Sequence, residues 1–245
     1  MLCSAQDYRP GQAGTREHIW QATLGPNNIV FANHPGASSE KEERTPNFWR
    51  GNGTLPRVAQ YKDVLIALYH LPAETRLRFT HAYFPKWAFD QVVEAPLEGG
   101  GGWIFGQKGD GYVALYSHLP YRWQTEGPDA GQEVIALGLQ KVWICQMGRK
   151  AVDGSFEEFI LHITQATLEV EGLNVNYAAP GVGQVEFGWN GPLLVDGRET
   201  PLQGYARFGS TYGAAPFGSG VYRFELGEQS LDLDFNAGTR EETTR

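Results

Sequence analysis

Between Thr45 and Lys62 the chain gathers Asn47, Trp49, Arg50, Asn52, Arg57 and Lys62 in one segment punctuated by Pro46, Gly51, Gly53 and Pro56. These residue types suit a sugar. Aromatic faces stack on the C–H surfaces of pyranose rings, and Arg50, Arg57 and Lys62 can pair with a carboxylate, the arginines bidentately. Loops held over a rigid scaffold often carry binding residues. The competing assignment is structural: Trp49 plugs the core and Arg57 ties a loop together. Two strand ends lie beside this segment in chain order. Asn33-His34-Pro35-Gly36 ends one, and Thr80-His81-Ala82-Tyr83 ends the other. A neutral histidine with a reference pKa of about 6.5 suits a base near pH 7, and a tyrosine near 10 suits an acid. His81 or His34 as base, Tyr83 as acid, and Asn47, Trp49, Arg50 and Asn52 on a substrate-facing rim form the expected constellation. Against it, His81 and Tyr83 alternate in register with Leu77 and Phe79, so they equally fit core positions with their polar ends satisfied internally.

Other chemistries find little footing. The six histidines show no pair at the short spacing of a zinc helix, and the two cysteines, Cys3 and Cys145, make neither a finger nor a disulfide framework. No metal and no cofactor is expected. Cys145, inside Val142-Trp143-Ile144-Cys145, reads as a buried thiol. There is no G-x-S-x-G elbow, and Gly99 to Gly102 lacks the Lys-Ser/Thr of a phosphate-binding loop. A formal net charge of −8 argues against a nucleic-acid partner, though a focused Arg/Lys site could still take an acidic sugar. No apolar run reaches the ~18 residues that would span a bilayer, so no membrane partner is expected. The first residues lack the basic start and apolar run of a signal peptide, and the compartment stays open.

The elements that must position these residues read as strands. The chain has 245 residues, 41% hydrophobic and 20% charged, with 31 glycines and 13% aromatics, which fits many short strands joined by tight turns. Ile19 to Leu24 and Asn28 to Ala32 flank Gly25-Pro26-Asn27 as a hairpin. Val64 to Tyr69 is a continuous apolar run fit for a strand buried on both faces. Trp103 to Phe105 and Tyr112 to Tyr116 bracket Lys108-Gly109-Asp110-Gly111, a second hairpin. Val221 to Leu226 and Ser230 to Phe235 form a third, with Leu231, Leu233 and Phe235 on its apolar face. Ser155-Phe156-Glu157-Glu158 fits a capping box before an apolar 3.6-residue repeat, so one short helix is expected from Ser155. The expected fold is an all-β, two-layer antiparallel β-sandwich with one short helix. It should form one domain over residues 1–237, followed by a polar tail, 238–245.

Four segments carry a family resemblance: Tyr8-Arg9-Pro10-Gly11, His18-Ile19-Trp20-Gln21-Ala22-Thr23-Leu24, Asn47-Phe48-Trp49-Arg50-Gly51-Asn52 and Leu55-Pro56-Arg57-Val58-Ala59-Gln60. Together they resemble the C-terminal β-sandwich portion of heparinase-like proteins, which are similar to the polysaccharide lyases that join an α/α toroid to a β-sandwich. The resemblance runs to about Phe235. It implies an acidic, uronic-acid polysaccharide or oligosaccharide as ligand, and β-elimination as chemistry. That reaction needs the carboxylate neutralised, a base for the C5 proton and an acid for the leaving oxygen. No residue-by-residue correspondence is carried over. This chain contains no helical toroid, so the resemblance implies catalysis only where such a partner domain supplies the other wall of the cleft. A non-catalytic carbohydrate-binding or scaffolding domain and a protein-assembly domain remain the alternatives.

Overall fold

The computed structural model describes residues 1–5, 10–11, 18–39, 41–42, 45–202, 208–216 and 218–244. Tyr8 and Arg9 of the family resemblance lie outside them, as do Glu40, Glu43 and Arg44. Contacts divide the chain into two compact units, Met1–Thr200 and Pro201–Arg245. The sequence shows no composition break at this boundary, because both units are built from the same short strands and glycine turns.

The first unit begins with β1 (Leu2–Ser4), β2 (Trp20–Thr23), β3 (Ile29–Asn33), β4 (Arg57–Tyr61), β5 (Val64–His70) and β6 (Phe79–Tyr83). It continues with β7 (Gln91–Pro96), β8 (Gly102–Lys108), β9 (Gly111–Ser117), β10 (Tyr121–Trp123), β11 (Glu133–Leu137) and β12 (Gln140–Arg149). These twelve strands make two antiparallel sheets, ordered β1-β2-β3-β6-β11-β10 and β4-β5-β12-β9-β8-β7. The two sheets pack face to face, and the period-two alternation of the strands fills the space between them. Trp20, Val30, Ala82 and Val134 come from the first sheet, with Phe84 just past β6; Leu65, Tyr69, Val113, Leu115 and Trp143 come from the second. The all-β sandwich is therefore present.

Beyond β12 come α1 (Lys150–Asp153), α2 (Phe156–Gln165) and the sheet β13 (Leu168–Glu171), β14 (Asn174–Ala179), β15 (Gly183–Gly188), β16 (Leu193–Val195) and β17 (Arg198–Thr200). The capping box starts α2: Ser155 Oγ accepts from Glu158 N at 3.2 Å and Glu158 Oε2 accepts from Ser155 N at 2.7 Å. Helix and third sheet cover the outer face of the second sheet. Phe156 and Phe159 lie 5.4 Å from the Tyr112 ring, Trp103 meets Tyr177 at 5.9 Å, and Tyr177 donates its hydroxyl to Gln146 Oε1 at 2.6 Å. Gly148 permits the close approach of α2, since a Cβ there would stand 2.5 Å from the Phe159 ring. This outer layer explains why Val64 to Tyr69 is apolar without alternation: β5 is buried on both faces.

The expected hairpins form, with β2 and β3 paired Ala22↔Val30 and β8 and β9 paired Lys108↔Gly111. Cys145 is buried and Cys3 exposed, both as free thiols. The second unit is one antiparallel sheet of β18 (Phe208–Gly209), β19 (Gly213–Ala215), β20 (Val221–Leu226), β21 (Gln229–Asp234) and β22 (Thr239–Thr244). Two expectations shift here. Residues 239–244, read as a polar tail, pair with β21 through their backbone, which needs no apolar side chain. Phe235, expected on the apolar face, follows the end of β21 and is 72% exposed. Among the described residues no helix is long and apolar enough to cross a membrane.

Candidate functional site

The outer face of the first sheet carries Asn33, Phe31, His81, Tyr83 and Glu133. Strand pairing sets Asn33 opposite His81 and Phe31 opposite Tyr83, and Glu133 opposite Tyr83 from the other side. The segment Asn47-Phe48-Trp49-Arg50 folds over this face as a tight turn. Asn47 Oδ1 accepts from Arg50 N at 2.8 Å, and Asn47 N donates to Arg50 O at 2.9 Å. Asn33 Nδ2 fastens the turn from below, donating to Gly51 O at 2.8 Å and to Phe48 O and Trp49 O at 3.3 Å each. The Trp49 indole lies flat on the His81 imidazole, centroids 4.1 Å apart, and donates Nε1–H to Asp129 Oδ1 at 3.1 Å.

His81 is fully buried and both of its ring nitrogens are occupied. Nε2 lies 3.0 Å from Phe48 O and Nδ1 lies 2.6 Å from Glu133 Oε1. A carbonyl only accepts, so Nε2 carries a hydrogen. The Nδ1–carboxyl contact then holds a single proton between two groups that are 0% and 2% exposed. His81 thus offers no free lone pair and anchors the Phe48-Trp49 turn. Tyr83 is half-buried against Trp49 and Phe31; burial, and then the nearby Asp129 charge, hold its hydroxyl above the ordinary tyrosine range.

His34 is placed differently. Its ring is buried, and Nε2 lies 2.8 Å from the Leu77 carbonyl, which assigns a hydrogen to Nε2 and a lone pair to Nδ1. Burial is the main reason its pKa falls below the ordinary histidine value, and the charge of His81 acts in the same direction, so the imidazole is neutral at pH 7. Nδ1 has no hydrogen-bond partner among the described residues. His34 lines a pocket of about 480 Å³ together with Gly53, Thr54, Glu42, Glu74 and Arg76. Gly53 packs closely against this strand end, since a Cβ at that position would stand 2.8 Å from Pro35 O and 3.1 Å from Nδ1.

The remaining expected residues are spread by the fold. Asn47 and Asn52 are 1% and 0% exposed, so neither forms a substrate-facing rim. Asn52 Oδ1 accepts from His34 N at 3.2 Å and holds that strand end in place. Arg50 is exposed on the turn. Arg57 belongs to the second sheet. It donates to the carbonyls of Gly188 and Gly191 and lies 4.5 Å over the Phe187 ring, so it ties the third sheet down. Lys62 sits exposed in the β4–β5 turn. The expected trio of His34, His81 and Tyr83 therefore divides. His34 lines a pocket, His81 is enclosed, and Tyr83 ends β6, six residues after the pocket residue Leu77. Sequence reading missed Arg76, Glu74 and Glu133; pairing across β6 and β11 places Glu133 beside His81, and no local motif marks it. Among the described residues no cluster of three or more His, Cys, Asp or Glu is arranged to hold a metal ion.

The chain matches no protein-family model, and neither the curated proteins nor the solved structures yield a match.

The neutral histidines make stability depend on pH. Burial, with the His81 charge second, lowers His18 to about 4. Its folded pKa is depressed, so the unfolded chain binds the proton more readily and stability rises with pH. The contribution is complete above about 6.5 and is lost as pH falls toward about 4, a change on the order of 2 kcal/mol after allowance for partial solvent screening. Urea unfolding of the parent and of His18→Phe at pH 7.5 and 4.5 checks this. The parent should lose more stability than the variant, and equal losses would remove His18 as the cause.

Proposed function

We propose that Met1–Thr200 binds an acidic saccharide in the pocket floored by His34. The observation that carries this reading is a pocket lined by His34 and Arg76, with the buried, neutral His34 imidazole at its wall and an Nδ1 lone pair that has no partner among the described residues. A buried acceptor left unpaired costs free energy, and a ligand hydroxyl or acidic C–H removes that cost. Arg76 supplies the cation for a sugar carboxylate. The pocket carboxylates Glu42 and Glu74 suit ring hydroxyls.

A second reading, elimination, is favoured by the same lone pair. Nδ1 would take the proton on C5, α to the carboxylate. The C–H electron pair would form the C4–C5 double bond as the C4–O4 bond breaks, and the departing oxygen would gain a proton. That last proton would come from solvent or from a partner wall such as a helical toroid, since Tyr83 lies away from the pocket.

The test is to titrate the chain with oligomers of polygalacturonate, alginate and hyaluronan by calorimetry, while following absorbance of the unsaturated product. Binding without new absorbance supports the binding module. Growth of the absorbance supports the lyase. Neither response, with stable oligomers of the chain in solution, would overturn both readings in favour of an assembly domain.

A further inference from the structure

Trp87 is the one exposed tryptophan of the seven, at 63%. Exposure alone means little for a single surface residue. Its mounting is more informative. Trp87 sits in the single 3₁₀ turn Lys86–Ala88, closed by Ala88 N donating to Pro85 O at 3.0 Å and by Lys86 N donating to Gly131 O at 3.0 Å. Ala88 and Phe89, immediately after it, are both 8% exposed, so the turn is held by buried residues. The indole is presented on a rigid support instead of on a mobile loop.

Polar groups are lined up beside it. Trp87 Nε1 donates to Gln132 Oε1 at 3.4 Å, and Gln132 Nε2 donates to Asp129 Oδ1 at 3.2 Å. Asp129 Oδ1 also takes the Trp49 indole hydrogen, which fixes the carboxylate. Its second oxygen, Oδ2, has no partner among the described residues, and neither has the Tyr83 hydroxyl, which lies close enough to sense the Asp129 charge. A flat apolar face, an oriented carboxylate oxygen and a phenol hydroxyl are the groups that hold a pyranose: C–H bonds stack on the ring while hydroxyls donate to the carboxylate. A fixed carboxylate repels a uronate, so the contact selects a neutral ring.

We propose that Trp87, Asp129 and Tyr83 form a second saccharide contact, for a neutral pyranose, at the end of β6 remote from the His34 pocket. Leu77, which lines that pocket, precedes β6, and Tyr83 ends β6 six residues later, so the two contacts lie toward opposite ends of that strand. A heteropolysaccharide with both acidic and neutral rings would meet both. The class of ligand rests on the saccharide reading of the His34 pocket; the location does not.

Calorimetric titration of the whole chain with cellotetraose, mannotetraose and xylotetraose, each separately, tests the neutral site alone. At least one should bind saturably. Trp87→Ala should weaken that binding by about tenfold, with Trp87→Phe in between and Asp129→Asn severalfold weaker than the parent. His34→Ala should leave it within about twofold, well inside the tenfold that 1.4 kcal/mol represents. The proposal is overturned if none of the three sugars binds, if Trp87→Ala binds like the parent, or if His34→Ala abolishes binding. Neutral-sugar binding that persists while uronate oligomers fail to bind would sink the His34 reading and leave this one standing.

Discussion

Replacing Glu133 with alanine is expected to destabilise the first unit by about 3–5 kcal/mol, the cost of leaving one partner of a buried ion pair alone. His81 is 0% exposed and Glu133 2%, and their 2.6 Å contact is what makes a doubly hydrogen-bonded imidazole tolerable there. With Glu133 gone, Nδ1 loses its partner while Nε2 still needs its hydrogen for Phe48 O. The ring must then be buried as an unpaired cation or as a neutral group with an orphaned lone pair, and both are costly. Glu133→Gln separates charge from shape. A glutamine amide can donate to Nδ1 of a neutral His81, so its loss should be about 1 kcal/mol, near the value of an ordinary hydrogen bond. Urea unfolding of the three proteins at pH 7.5 provides the comparison. Equal losses in the alanine and glutamine variants would mean that volume, and not the unpaired ring nitrogen, sets the cost. Because His81 and Asn33 together hold the Phe48-Trp49 turn, Glu133→Ala should also change the Trp49 fluorescence before global unfolding begins.

The second large effect belongs to His34. If the pocket performs elimination, His34→Ala should lower turnover by ~10²–10⁴-fold, the usual contribution of a positioned base. If it only binds, the same change should weaken uronate binding by about tenfold, the equivalent of one good hydrogen bond. The pH dependence follows from the lowered pKa. The acceptor form is present above that pKa and lost below it, so rate or affinity should rise with pH, with a midpoint below the ordinary histidine value of 6.5. Gly53→Ala approaches the same atom from outside, placing a methyl 3.1 Å from Nδ1 and 2.8 Å from Pro35 O, and should impair the site while His34 itself remains. A folded His34→Ala that binds or turns over uronate oligomers like the parent would remove the pocket from consideration.

How much of this was legible beforehand depends on the range over which each signal acts. The capping box at Ser155 and Glu158 was readable because it spans three residues. The β8–β9 hairpin was readable because Gly109-Asp110 sits between two apolar runs. The unbroken apolar run of β5 announced burial on both faces, though not what would cover the outer one. That cover, the third sheet held by Arg57 and Tyr177, joins residues more than a hundred positions apart in the case of Arg57 and Gly188. No local pattern encodes such a pairing.

The polar residues divide along the same line. Their types and their places at strand ends were set by the chain, and so was the alternation that puts His81 and Tyr83 on one face. Whether that face points to solvent, to the core or beneath a folded-back turn was decided by sheet order. His81 was enclosed by Phe48 and Trp49 and paired with Glu133, 52 residues away. His34 lines a pocket, where Leu77, 43 residues away, takes one ring nitrogen and nothing among the described residues takes the other. Alternation and capping follow from backbone geometry over a few residues, so the sequence by itself determined the all-β class and the local elements. A side chain's hydrogen-bond partners and its desolvation depend on which distant strands pack against it, so only the tertiary structure could separate an anchored histidine from an available one.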